Sequence, residues 1–357
     1  MVRSPTLLLF GDLHLRKGHL IQGQECCDSL VATAKKVKPD LIVLMGDVLH
    51  THEMVYVPGY RLLENLVKLL RKIAPVKIII GNHDFISASE NQTPEHPLGP
   101  FKEWDRVEVV DHAIEDLTFI DQGYRLVLTP YIPYGHFLES IDPLLSNESS
   151  EVVDLVLAHQ PFLGVDPKAE AWPDDYPMVI SGHIHDRKLL QPNVYYTGSS
   201  SQVDCDEKPD KYACLVTLSP EGIKYKSIRL AVRSISIIRT TYDALTSETS
   251  DAEGGEAQEI LDLAQRHEVK LIISGTREEK IFFSDLKLAE TLGSIPGLKV
   301  EWDLPLEKIV PRVPRAKRGD FKSILKTLVD ASDEKVKKAY EEIYGGEVDG
   351  GEDVEEE

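Results

Sequence analysis

Five short apolar runs in this chain each end in side chains suited to metal or acid–base chemistry. They lead into Asp12-Leu13-His14, Gly46-Asp47, Gly81-Asn82-His83-Asp84, His159 and Gly182-His183-Ile184-His185. Carboxylate, imidazole and carboxamide oxygen together suit borderline-hard divalent ions such as Mn²⁺, Fe²⁺ or Zn²⁺. Asp-x-His and His-x-His at a strand end put two side chains on the same side of the pleat, so both can reach one centre. The donors are too many for one ion, and a carboxylate can bridge two. Asp47 follows the middle of the three early runs and is the natural bridge. Two ions about 3.5–4 Å apart share a hydroxide, lower its pKa and hold the attacking and leaving oxygens of a phosphate ester. Such a centre needs no Ser or Cys nucleophile.

The elements that position these groups read as an α/β pattern. Strands are predicted over residues 6–10, 40–45 and 76–80, and helices over 22–38 and 60–74, stopping at Pro39 and Pro75. A β-rich stretch follows, with strands at 106–110, 117–120, 124–129, 151–158, 178–181, 194–197, 212–218 and 224–230. In parallel α/β sheets ligands gather at the carboxyl ends of strands, where all five clusters fall. Near Arg233 a smaller unit begins. It has strands at 235–240, 270–274 and 298–302, and helices at 257–267 and 284–292. Residues 308–319 hold five basic residues, two prolines and no acid, and read as a linker. Amphipathic helices at 320–329 and 333–344 precede an acidic tail, 347–357, predicted to be disordered.

Composition narrows the function classes. The chain has 357 residues, 42 % hydrophobic and 28 % charged, enough for a full core and more than one domain. No apolar run reaches the roughly 18 residues of a membrane span, and the amino terminus lacks a signal h-region. We therefore expect an intracellular, cytoplasmic or nucleoid-associated protein (host cytoplasm if viral), without a membrane partner. The four cysteines show no Cys-x-x-Cys spacing and are expected to be reduced. The net charge of −20 argues against non-specific DNA binding by the whole surface, but not against a local basic track.

In order and spacing, these five clusters resemble the signature blocks of the calcineurin-like metallophosphoesterases over about residues 1–231. The resemblance implies two β-sheets packed as a sandwich and flanked by helices, with a dinuclear site at one edge. It implies Asp12, His14, Asp47 and His185 on one metal, and Asp47, Asn82, His159 and His183 on the other. His83 would stabilise charge at the phosphate or protonate the leaving alkoxide, and Asp84 would fix the orientation of His83.

Within that superfamily, Gly46-Asp47-Val48-Leu49-His50 resembles the Gly-Asp-x-x-His block of SbcD-type nucleases of double-strand-break repair and phage recombination. There the extra His, here His50 with His52 beside it, contacts substrate phosphate. The likeness implies a nuclease domain (1–231), a small α+β capping domain that contacts DNA (232–307), the basic linker (308–319) and partner-binding helices (320–346). Phe321, Ile324, Leu325, Leu328 and Val329 form an apolar face for the coiled-coil base of an SbcC-type ATPase. It further implies two Mn²⁺ ions, DNA exo- or endonuclease activity, and a homodimer through residues 58–72 or 90–104. The alternative is a stand-alone phosphodiesterase or phosphatase acting on a small molecule or a protein, its extra domain serving as a lid.

Overall fold

The computed structural model describes residues 3–52, 54–85, 96–146, 152–247, 255–304, 328–332 and 334–344. Side-chain alternation along the first strand, β1 (Thr6–Phe10), shows how the layers form. Leu7 and Leu9 turn into an apolar layer shared with Leu128, Leu157 and Ile180, while Leu8 and Phe10 turn the other way onto Leu30, Leu63 and Val67. A strand buried on both faces must therefore be apolar throughout, as Thr6-Leu-Leu-Leu-Phe nearly is.

Around it run α1 (Leu20–Val37), β2 (Leu41–Leu44), α2 (Val57–Leu70), β3 (Val76–Ile79) and β4 (Val107–Val110). Strands β1 to β4 are parallel neighbours in sequence order, so β2 lies between β1 and β3. The antiparallel strands β11 (Tyr212–Ser219) and β12 (Gly222–Arg229) complete this six-stranded sheet on the β1 side. The second sheet has β5 (Ile114–Asp116), β6 (Leu126–Thr129), β7 (Leu155–Ala158), β8 (Met178–Ser181), β9 (Lys188–Gln191) and β10 (Val194–Tyr196), in the order β5-β6-β7-β8-β10-β9. Helix α3 (Phe137–Leu145) packs Phe137 and Ile141 on its outer face with Phe162 and Trp172. Helix, sheet, sheet and helix make the four-layered sandwich expected from the sequence.

A third sheet, all parallel, holds β13 (Ile235–Thr241), β14 (Glu268–Ser274) and β15 (Leu298–Asp303). It is covered by α4 (Tyr242–Thr246), α5 (Glu256–Arg266), α6 (Arg277–Ser284) and α7 (Lys287–Ser294) around a core of Leu245, Ile260, Leu271, Ile273, Phe283 and Leu292. Buried Glu268 of β14 joins this small unit to the first sheet's helices. It pairs with His19 and accepts a hydrogen bond from the backbone N–H of Gln22 in the first turn of α1, at 3.2 Å.

Compact packing divides the chain into Met1–Leu304 and Pro305–Glu357. In the second unit the described residues hold α8 (Glu334–Tyr344) and the short stretch 328–332. Leu328 is exposed and Val329 is buried, while Phe321, Ile324 and Leu325 of the expected partner face lie outside the described residues, as do the linker and the tail.

Several local features depart from the expectations. Residues 117–120 turn rather than extend, because the Asp116 carboxylate takes both the backbone N–H of Thr118 at 2.8 Å and its hydroxyl at 2.5 Å. The strand lies just before, as β5. The helix expected at 284–292 is α7, starting three residues later at Lys287, and a separate helix that was not expected, α6, lies before it, capped by Thr276 through the N–H of Glu279. Helices α3 and α4 and strand β9 likewise lie where no such element was expected. All four cysteines are free thiols. Among the described residues no helix is long and apolar enough to cross a membrane.

Candidate metal centre

The five clusters lie just past the carboxyl ends of β1, β2 and β3 in one sheet and β7 and β8 in the other. The backbone there is bent sharply to crowd them together. His14, Asp47 and His183 have φ of 46°, 48° and 72°, the left-handed region that costs an L-residue about 1–2 kcal/mol each. Three ligand-type residues in that conformation mark a place where surrounding packing holds the chain against its preference. Two glycines make the approach possible. A Cβ on Gly46 (φ 100°) would lie 2.2 Å from His159 Nδ1, and one on Gly81 would lie 2.1 Å from Asp47 Oδ1.

Backbone hydrogen bonds tie the loops into one body. His14 N–H donates to Asp47 O at 2.9 Å, His83 N–H to Asp47 Oδ1 at 2.8 Å, and His183 N–H to Asp12 Oδ1 at 3.0 Å. Two donor groups result: Asp12, His14 and His185, and Asp47, His159 and His183, each with its ligand atoms within 4.8 Å of one another. Asp47 Oδ2 lies between them, 3.6 Å from His14 Nε2 and 3.3 Å from His159 Nε2. Asn82 Oδ1 joins the second group, 2.8 Å from His183 Nδ1 and 3.3 Å from His159 Nε2.

The donors fit divalent cations. Asp12 Oδ2 is buried with no hydrogen-bond partner, an arrangement that costs free energy unless a cation answers it. The ring nitrogens are also pre-assigned. His159 Nδ1–H donates to Met45 O at 2.7 Å, and His185 Nδ1–H to Glu207 Oε1 at 2.7 Å, so each keeps Nε2 for the centre.

Burial shapes the charges. It pushes Asp12 up to about 6, with His159 pulling the other way. Burial would also raise Asp47, but the neighbouring His159 and His14 outweigh it and hold Asp47 below the ordinary carboxylate range. His159 follows suit: burial lowers it, and the Asp47 charge and hydrogen bond raise it to about 9. Burial keeps His14 well below its usual value and, helped by the His159 charge, takes His183 to about 3. Without metal, Asp47 and His159 are thus an ion pair, while His14 and His183 stay neutral, the form that binds metal.

A third donor group, His14, His50 and His83, shares one ligand with the first. It has no carboxylate. His14 Nδ1 lies 3.2 Å from His50 Nδ1, on the ring edge away from the Nε2 that meets His185 at 3.0 Å. His83 stacks against His50 (centroids 5.6 Å, planes 5° apart) and His52 (4.8 Å, 22°), and its Nδ1–H donates to His50 O at 2.9 Å.

Asp84 does not orient the His83 ring, contrary to the expectation. Its carboxylate accepts backbone N–H groups from Val48 at 3.3 Å, Leu49 at 2.9 Å and Gly81 at 3.0 Å. Those contacts pin the Asn82–His83 loop to the Asp47 loop, while the His83 ring is held through Nδ1 by His50 O. Burial, reinforced by the Asp47 charge, pushes Asp84 up to about 7.

One participant was not legible. Glu207 supports His185 from a loop between β10 and β11, where the sequence shows only the short acidic run Asp204-Cys205-Asp206-Glu207.

Comparison with known proteins finds several that this chain resembles. The chain is 27% identical over 280 residues to protein 078R of Invertebrate iridescent virus 3, named as an inferred phosphoesterase, covering 77% of each chain. It is 28% identical over 287 residues to the similarly named 244L of Invertebrate iridescent virus 6, covering 76% of this chain and 94% of that one. DNA double-strand break repair protein Mre11 of Methanococcus maripaludis is 25% identical over 202 residues, 52% of each chain. Among solved structures, a dimetal phosphatase from Danio rerio aligns over 64% of this chain and 97% of its own, at 14% identity and a TM-score of 0.46. The family profile "Calcineurin-like phosphoesterase" matches residues 5–187, more than half of the chain. On that match the chain belongs to the calcineurin-like phosphoesterases, metal-dependent hydrolases of phosphate esters.

Proposed function

We propose that this phosphoesterase cleaves DNA phosphodiesters with two Mn²⁺ ions, as the nuclease subunit of an SbcCD-like complex. The observation that carries the reading is a cavity of about 640 Å³ lined by His50, beside the metal ligands, and by Arg16, Lys17 and His19, with Asp204 as the one acidic side chain among its described residues. Leu49, Met54 and Tyr56 line its apolar side. A lone phosphate needs no such lining; a phosphodiester chain with further phosphates and bases does. The Mre11 relative, named for DNA double-strand break repair, supports the same choice.

One ion would rest on Asp12, His14, Asp47 and His185 and the other on Asp47, Asn82, His159 and His183. Bound there, the pair supplies Lewis acidity and an activated water. His83 is half-buried and its Nδ1–H is held by His50 O; as the imidazolium its Nε2–H would face charge on the phosphate and give its proton to the leaving oxygen, and burial, which lowers its pKa, makes that proton easier to release. His50 extends that imidazole surface toward the cavity and receives the neighbouring phosphate.

The same reading assigns the 320–329 face to the ATPase and the dimer contact to residues 58–72 or 90–104, where Leu69 is exposed. The partner supplies DNA affinity that a chain of net charge −20 lacks. That acidity favours the second reading, a stand-alone phosphodiesterase or phosphatase on a small molecule or a protein. Labelled single- and double-stranded DNA and a chromogenic phosphomonoester, each with Mn²⁺, separate the two. DNA cleavage supports the nuclease. Monoester turnover without DNA cleavage, even with the ATPase present, sinks it.

A further inference from the structure

We infer that Glu207 is a positioning residue of the metal centre, setting the affinity of the site that holds His185. This rests on the dinuclear reading above. The Glu207 carboxylate lies behind His185, accepting its Nδ1–H at 2.7 Å through Oε1. Oε2 takes the Lys211 ammonium at 2.6 Å and the Ser199 hydroxyl at 3.3 Å. The backbone N–H groups of Val203 and Asp204, each at 3.1 Å, close the loop round the same carboxylate. Lys211 is itself buried, so Glu207 is fixed from its far side rather than free to swing.

An acceptor that is ionised and immobile does two things for an imidazole in front of it. It keeps the proton on Nδ1, leaving the Nε2 lone pair for metal, and it raises that lone pair's donor strength. Of the four ligand histidines, His14 has its Nδ1 beside His50 and His183 beside Asn82, while the other two each donate Nδ1–H to an oxygen behind the ring, and those acceptors differ in charge. His159 leans on a neutral carbonyl, Met45 O, whereas His185 leans on a charged carboxylate. The two metal sites therefore differ in their dependence on outer groups. The loop that carries Glu207 is also held by the small unit, since Gln202 Oε1 accepts the N–H of Ile235 at 2.8 Å where β13 begins.

Mn²⁺ calorimetry on the full chain tests this, with melting of the metal-free protein alongside. His185→Ala and Asn82→Ala identify which binding step belongs to which site. We expect Glu207→Ala to weaken the His185 step by about 10–100-fold and to leave the Asn82 step unchanged. Glu207→Gln, which keeps an oxygen opposite Nδ1–H, loses less, and only at the same step; it decides the matter should the alanine variant fail to fold. Equal loss at both steps with a lowered melting temperature means that Glu207 only packs the loop, and overturns the inference. So does no loss at either step while wild type binds two ions. A wild-type protein that takes up no Mn²⁺ overturns both this inference and the metal-centre reading.

Discussion

Asp47 and His159 meet across the two sheets, Oδ2 to Nε2 at 3.3 Å, one from the end of β2 and the other from the end of β7. Each distorts the other's ionisation, and each is buried. The contact lets loops from separate sheets act as one centre, because the apolar layer beneath them (Leu9, Val43, Leu157 and Ile180) fixes how far apart the strand ends stand.

Gly81→Ala should damage the centre without replacing a ligand. Its Cβ would sit 2.1 Å from Asp47 Oδ1 and 2.3 Å from Asp47 N, and the latter is backbone that cannot step aside. The expected cost is about 1–3 kcal/mol of stability, with a loss of Mn²⁺ uptake. Thermal melts with and without Mn²⁺ check this: metal should stabilise wild type more than the variant.

His83→Ala should cut turnover sharply and leave both ions bound. The backbone N–H of His83 that holds Asp47 Oδ1 survives the substitution, and the imidazole lost is the one to which the proposed reading gives the proton transfer. A rate loss of about 10²–10⁴-fold is expected, with unchanged metal stoichiometry by calorimetry. Loss of an ion would make His83 a ligand.

Acid stability should carry a signature of Asp111, which belongs to none of the metal-ligand groups. Burial pushes its carboxyl up, but Lys102, His112 at 2.9 Å and His96 at 3.4 Å outweigh that and lower it to about 2. Because the folded value lies below the unfolded one, its contribution is present above the ordinary carboxylate range and fades as pH falls through that range toward 2. Asp111→Asn should therefore cost on the order of 1 kcal/mol at neutral pH, allowing for solvent screening, and almost nothing at pH 2. Chemical denaturation across that range reads the difference.

Glu268→Ala should loosen the small unit. Removing the buried carboxylate leaves His19 and the Gln22 N–H without their acceptor, at about 1–3 kcal/mol. Hydrogen exchange is the readout. The first turn of α1 and strand β14 should exchange faster, while β2 and β7 keep wild-type protection.

Much of the sandwich was legible, and for a physical reason. Its central strands are buried on both faces, so their composition alone separates them from helices, and the donors follow them directly in sequence. The turn at Asp116–Thr118 was not legible because apolar Leu117 and Phe119 look strand-like while a side-chain hydrogen bond dictates the turn. Asp84 was misread for a related reason: adjacency to His83 suggested a partner, but its carboxylate faces the backbone of another loop. Glu207 meets His185 only after β9, β10 and a loop have folded back, and no spacing rule anticipates such a contact.

Anomalous scattering from crystals soaked in Mn²⁺ tests the central claim most directly. The account predicts two peaks, one among Asp12, His14, Asp47 and His185 and the other among Asp47, Asn82, His159 and His183, with Asp47 common to both. A single peak, or one seated among His14, His50 and His83, would contradict it.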